Sequence, residues 1–205
     1  MVLLFFVVEN SCVDELKVCV DNYPPFKIVE KGKITGGLDI ELIELLTGAV
    51  GLKPKYDYAP WLRCLAYLKR GQTDFVSGIT KRKDREIFLH YVEPPYKTKS
   101  VKTFYVKKGG GDSISQFKDL FGLTVGVLRG TKYFEKFDYS TRIIKHEVSD
   151  ESSGLKMVQS DRLDAFITTE EVGDYLIQIN HYENDIDKAE YKYEKEVAVY
   201  FARWP

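Results

Sequence analysis

Apolar residues recur along this chain in two periods, and the switches between them outline the fold. The run "LKVCV", residues 16–20, has the spacing and β-rich composition of a strand. Pro24 and Pro25 end it, because proline enters neither a central strand nor a helix interior. "KGKITGG" (31–37) predicts a turn leading into a helix, with Asp39 as its cap and Leu42, Ile43, Leu46 and Val50 at helical spacing along one face. Gly51 marks the stop. "KPKYDYA" (53–59) returns as a strand, Pro60 and Trp61 open a second helix with Leu62, Leu65 and Leu68 on one side, and "TDFVSGI" (73–79) is a third strand. The order β-α-β-α-β implies a mostly parallel sheet flanked by helices.

A second unit repeats the logic. "KTFYVKK" (102–108) is a strand, "GGGDS" a flexible loop and "SQFKDLF" (115–121) a short helix. "LTVGVLRGT" (123–131) is a strand entering a glycine turn, with "KYFEKF" opening the next helix. Strands at 142–148 and 163–168 alternate with helices at 151–160 and 169–180, and "EVAVYFARWP" (196–205) closes as a strand. Two α/β units joined by thin connections leave a cleft between them, a favoured place for a small-molecule site.

Composition narrows the chemistry. The 205 residues give room for two lobes with their own cores, and 44% hydrophobic with 30% charged residues is the balance of a soluble globular protein. The 30 Lys and Arg against 31 Asp and Glu leave a net charge of -1, and no basic stripe tracks phosphates, so nucleic acid is not an expected partner. Cys12, Cys19 and Cys64 have no metal-ligand spacing, and neither metal nor cofactor is expected. Cys19 and Cys64 fall in one lobe; they either pair in an oxidising compartment or remain buried thiols. His90, His146 and His181 stand apart from any Ser or Cys nucleophile, and "VGVLRGT" lacks the ending of a phosphate loop. The apolar run 2–8 is too short to cross a membrane and reads as the core of a secretory leader, although no Lys or Arg precedes it; a buried strand is the alternative.

The stretch "SGITKRKDRE" (77–86) packs four cations, Lys81, Arg82, Lys83 and Arg85, into a charge run. Lys81, Lys83 and Asp84 read as solvated. Taken in register with "LKVCVDNYPPFKIVEKGKITGGLDIELIELL", "PWLRCLAYLKRGQTDFVSGITKRKDRE", "VEPPY", "FKDLFGLTVGVLRGT" and "DRLDAFITTEEVGDYLI", it resembles the bacterial extracellular solute-binding proteins of family 3, amino-acid-binding-like components of ABC importers. The resemblance runs from about residue 16 to residue 202.

The resemblance implies an α/β, two-lobed clamp of the periplasmic-binding type, each lobe a mostly parallel sheet flanked by helices. Residues 1–15 would be a leader remnant, 16–98 the first segment of lobe 1, 99–195 lobe 2, and 196–205 the return strand. The family normally continues with a helix or two, so the first lobe is expected to be shortened at its C-terminal part. Position by position, Tyr23 corresponds to the aromatic packed on the solute, Trp61 to a pocket wall, and Arg85 to the carboxylate-binding arginine, whose planar fork suits that task. Ser77, Gly78 and Thr80 correspond to hydroxyl and backbone contacts. Gly130 and Thr131 correspond to the turn of lobe 2, and Thr168 and Thr169 to the site that faces it. Arg85 in a surface ion pair and Trp61 as plain core are the bland alternatives.

Two departures bear on the ligand. Arg82 stands where a Thr is usual, and Thr169 stands where the family places an acidic partner for an α-ammonium. A desolvated ammonium needs an acceptor, so ordinary amino acids are expected to bind weakly unless another carboxylate substitutes. The implied protein is a periplasmic, non-enzymatic monomer that binds a small anionic or amino-acid-like solute by hinge closure, at 96–100 and 194–196, and delivers it to an inner-membrane permease. Two other readings share the fold: a ligand-sensing module of a signalling receptor, and a cyclohexadienyl dehydratase-like enzyme with Glu170 or Glu171 as acid or base.

Overall fold

The computed structural model describes residues 14–205, so the apolar run 2–8 and Cys12 lie outside the described residues. In chain order the first half contains β1 (Glu15–Val20), β2 (Ile28–Glu30), β3 (Lys33–Gly36), α1 (Leu38–Ala49), β4 (Lys53–Tyr58), α2 (Trp61–Lys69), β5 (Phe75–Thr80) and the single turn α3 (Lys83–Glu86). The long strand β6 (His90–Lys107) leads to β7 (Thr124–Leu128), α4 (Glu135–Asp138), β8 (Ile144–Val148), α5 (Glu151–Gln159), β9 (Ala165–Thr169), α6 (Glu170–Ile179) and a second long strand, β10 (Ile186–Arg203). Glu15 already belongs to β1, so the strand begins inside the segment assigned to a leader.

One eight-stranded sheet holds the molecule together, in the order β4-β1-β5-β10-β6-β9-β7-β8. Its two wings are parallel, β4-β1-β5 on one side and β9-β7-β8 on the other. The edge strands look like edges: β4 carries Pro54, which a strand paired on both sides would not accept. The inner strand β9, "AFITT", is buried at every position, as a strand covered on both faces requires.

The antiparallel pair β6 and β10 joins the wings. β9 pairs with β6 only from Lys102 onward, and β5 pairs with β10 only from Val199 onward. Between these limits the ladder contains Val101↔Glu194, Ser100↔Lys195 and Lys99↔Glu196, and there the sheet is two strands wide. Both strands are longer than the pattern predicted, reaching back to His90 and Ile186 instead of Lys102 and Glu196. Pro94 and Pro95 hid the first extension; the alternation of Ala189, Tyr191 and Tyr193 in a charge-rich stretch carried the signal for the second.

Each wing has its own core. In the first, Val18, Val20, Ile40 and Ile43 pack with Phe75 and Phe201 on one face, and Cys19, Cys64, Leu68 and Ile79 with Tyr200 on the other. A Cys19–Cys64 disulfide ties β1 to α2, resolving the open choice between bridge and free thiols. In the second wing, Phe104, Leu120, Val125 and Phe137 form one face, and Tyr105, Leu155, Phe166 and Leu176 the other.

Helix α1 departs from its expected face. Asp39, Ile40, Ile43 and Thr47 are buried, whereas Leu42, Leu46 and Val50 are exposed. Asp39 is not the cap either. Gly37 occupies that place with φ 120°, and an added Cβ there would lie 2.4 Å from the Phe26 carbonyl oxygen. On α2, Leu68 is buried but Leu62 is 46% exposed.

Tight packing in the second wing gives a direct test. A Cβ on Gly173 of α6 would lie 2.1 Å from the buried Tyr105 ring. Gly173→Ala should therefore cost about 1–3 kcal/mol through overpacking, despite alanine's better helix propensity. A lowered chemical-denaturation midpoint with an unchanged m-value would show it.

Candidate functional site

The wings approach each other beside the β6–β10 pair and enclose a cavity of about 130 Å³, which adjoins a second of about 300 Å³ toward the narrow part of the sheet. From the first wing, the turn after β1 supplies Asp21, Tyr23 and Lys27, and α2 begins with Trp61 at the wall. The end of β5 supplies Gly78 and Thr80, and α3 turns Arg85 inward. From the second wing, Leu128, Thr131 and Tyr133 follow from β7, Glu151 opens α5, and Thr168 and Thr169 end β9.

Arg85 is 8% exposed although it belongs to a charge run. One guanidinium N–H donates to the Thr80 carbonyl at 3.3 Å, and the guanidinium carbon lies 5.8 Å from the centre of the Trp61 ring. Burial, helped by neighbouring Arg82, lowers its pKa. Among the described residues no carboxylate pairs with it: Asp84, its sequence neighbour, is held by both arms of Arg82 at 2.9 and 2.8 Å. The planar fork of Arg85 is thus free to accept a carboxylate.

The wings also touch. The Tyr23 hydroxyl hydrogen-bonds the Thr169 hydroxyl. Gly130, at φ +75°, lies so close to Leu62 of α2 that an added Cβ would be 2.4 Å from its side chain. Lys97 pairs with Glu171 at 2.8 Å across the wings, and within the second wing Lys102 donates to the Thr169 hydroxyl at 2.6 Å. The Tyr23–Thr169, Gly130–Leu62 and Lys97–Glu171 contacts thus bridge the two wings.

Of the residues expected at the site, Tyr23, Trp61, Gly78, Thr80, Arg85, Thr131, Thr168 and Thr169 line the cavity. Ser77 and Gly130 do not. Ser77 is buried behind the wall, whereas Gly130 makes the interlobe contact with Leu62.

The sequence reading missed several polar groups. Asp21 and Lys27 form a buried ion pair on the floor, with Lys27 5.7 Å from the Trp61 ring centre. The Tyr133 hydroxyl accepts from the Leu128 N–H at 2.8 Å, leaving its own proton to donate. Burial brings the Lys102 amine down to about 8, with repulsion from Lys97 adding to the shift. Burial also pushes the Glu151 carboxyl up to about 8, with repulsion from Asp21 and Asp150 acting in the same direction. Asp39 borders the second cavity; its Oδ2 accepts from Tyr96 at 3.1 Å, and its Oδ1 has no partner. A guanidinium fork and buried acids in one cleft can hold opposite charges of one small molecule. Among the described residues no cluster of His, Cys, Asp and Glu has the arrangement to hold a metal.

Solved structures share this architecture. An amino-acid ABC transporter substrate-binding protein, AbpA, from Streptococcus pneumoniae bound to L-arginine matches with 23% identity and TM-score 0.80, over 93% of this chain and 81% of that one. The ancestral amino-acid-binding protein AncCDT-1, a precursor of cyclohexadienyl dehydratase, matches with 26% identity and TM-score 0.77, over 93% and 81%. A histidine kinase sensor domain with similarity to periplasmic binding proteins matches with 18% identity and TM-score 0.77, over 94% and 83%. A search of curated proteins returns no match. The two-lobed fold is that of a periplasmic-binding clamp, and a family pattern covers residues 16–197: the chain belongs to the bacterial extracellular solute-binding proteins, family 3.

Proposed function

We propose that this protein is an extracytoplasmic receptor that captures a small amino-acid-like solute between its lobes and delivers it, as a monomer, to an ABC permease. The observation that carries this reading is Arg85: a buried arginine, 5.8 Å from the centre of the Trp61 ring, facing a cleft with its fork unpaired by any described carboxylate. Desolvating a guanidinium is costly, and a solute carboxylate offsets that cost. Membership in the family and the amino-acid-binding relatives of similar fold support the same solute class. We read the chain as a binding protein, not an enzyme, working outside the cytoplasmic membrane.

The moving bodies are residues 16–98 with 196–205, and residues 99–195. Rotation is easiest where the sheet is two strands wide, at 99–101 and 194–196. The solute favours closure because Tyr23, Trp61, Thr80 and Arg85 on one body and Thr131, Thr168 and Thr169 on the other meet it together only when closed.

A thermal-shift screen against the standard L-amino acids and simple carboxylates tests the reading. At least one amino acid should raise the melting temperature, since a ligand at a hundred times its Kd adds about 2.7 kcal/mol to the folded state. The same compound should reduce the radius of gyration in solution scattering. No shift from any amino acid would remove the reading.

A further inference from the structure

We infer that Glu151 is the counter-charge for a protonated nitrogen of the solute, so that the cleft takes zwitterions, with the carboxylate at Arg85 and the cation at the first turn of α5. The inference rests on the proposed function and names its ligand chemistry. Thr169 carries no charge, yet the cleft does not lack an acid. Glu151 is 4% exposed, lines the same cavity as Arg85, and projects from the opposite lobe. A solute that spans the two would hold the lobes together through both ends.

Among the described residues no side chain forms an ion pair with the Glu151 carboxyl, and the hydrogen bond it takes is from its own backbone N–H. The groups facing it are Asp21, Tyr23 and Lys27 from the first lobe, Lys102 from β6, Tyr133 after β7, and Asp150 beside it. Each cation among them is engaged elsewhere, Lys27 with Asp21 and Lys102 with Thr169. Asp150 is occupied as the cap of α5, accepting from the Ser153 N–H at 2.8 Å. A helix N-terminus favours negative charge, but burial prevails and raises the Glu151 carboxyl to about 8. In the empty cleft the group is therefore mostly protonated at neutral pH. A solute cation draws the proton off, because an adjacent opposite charge favours the ionised form. Binding then releases a proton, and affinity falls as pH drops below about 8, by up to about tenfold per unit.

The test is calorimetric titration of the wild type and Glu151→Gln with the standard L-amino acids. For the tightest binder, analogues lacking each nitrogen in turn are added, which separates an α-ammonium from a side-chain cation. Glu151→Gln should weaken the amino acid by about 30-fold or more and leave the analogue lacking the contacted nitrogen nearly unchanged. It should also abolish part of the proton release, read from the dependence of the enthalpy on buffer ionisation, and flatten the pH profile below 8. The variant's melting temperature, measured alongside, shows whether it is folded; should it not be, Glu151→Asp serves with the same readouts. If amino acids bind and both the affinity and the proton release survive Glu151→Gln, the inference fails while the proposed function stands. If the wild type binds none of them, both fail.

Discussion

Arg85→Ala is expected to cost about 2–5 kcal/mol of binding free energy, a loss of roughly 30-fold to several thousand-fold in affinity. The size follows from its environment. The guanidinium is buried, donates one hydrogen bond to the Thr80 carbonyl, and has no described carboxylate paired with it. A solute carboxylate would therefore be bound by a pre-placed, desolvated fork, and its loss leaves that carboxylate buried without a partner. Arg85→Lys should recover only part, since the ammonium lacks the two parallel donors of the planar fork. Calorimetric titration of the three proteins with the best ligand of the screen decides it. Equal affinities would return Arg85 to the ordinary charges of its run, beside Lys81 and Lys83.

The second large effect concerns stability. Joining Cys19 and Cys64 closes a loop with a sequence separation of 45, which in the chain-entropy model is worth about 4 kcal/mol. The bridge ties β1, the strand at the centre of its parallel wing, to the helix that presents Trp61. The double variant Cys19→Ala/Cys64→Ala should lower the unfolding free energy by about 3–4 kcal/mol, seen as a shifted denaturation midpoint. Reducing agent should reproduce the loss in the wild type and do nothing to the variant. A variant as stable as the oxidised wild type would show that the bridge adds nothing to the folded state.

Local period and punctuation made most of the wings legible. "LKVCV" and "LDAFIT" are short β-rich runs that place Val18–Val20 and Ala165–Thr168 in buried strands, and Gly51 and Gly71 end their helices with φ +72° and +67°. The errors have physical causes. On α1 the leucines made the more obvious stripe, yet Ile40, Ile43 and Thr47 face the sheet while Leu42 and Leu46 face out. Period alone does not say which of two apolar faces is covered. The length of β6 and β10 was hidden because a two-stranded link is open to solvent and carries charged residues such as Lys99, Glu194 and Lys195, which the pattern left outside the predicted strands.

The site divides along the same line. Tyr23, Trp61, Thr80 and Arg85 were found through register with a family pattern, and they meet at one cavity. Glu151 was missed because an acidic residue in the first turn of a helix carries no local sign of burial. Only the tertiary arrangement, which points that turn into the cleft, makes the carboxylate a buried group. Lys102 and Tyr133 were missed for the same reason: their roles depend on the approach of two wings more than on any local signal.

Native mass spectrometry of the protein purified directly from cells, compared with Arg85→Ala prepared in the same way, bears most directly on capture of an amino-acid-like solute in the cleft. The account predicts one small molecule per wild-type chain, with both a carboxylate and a protonatable nitrogen in its fragments, and an empty Arg85→Ala. A bound molecule without a carboxylate, or one that persists in Arg85→Ala, would contradict it.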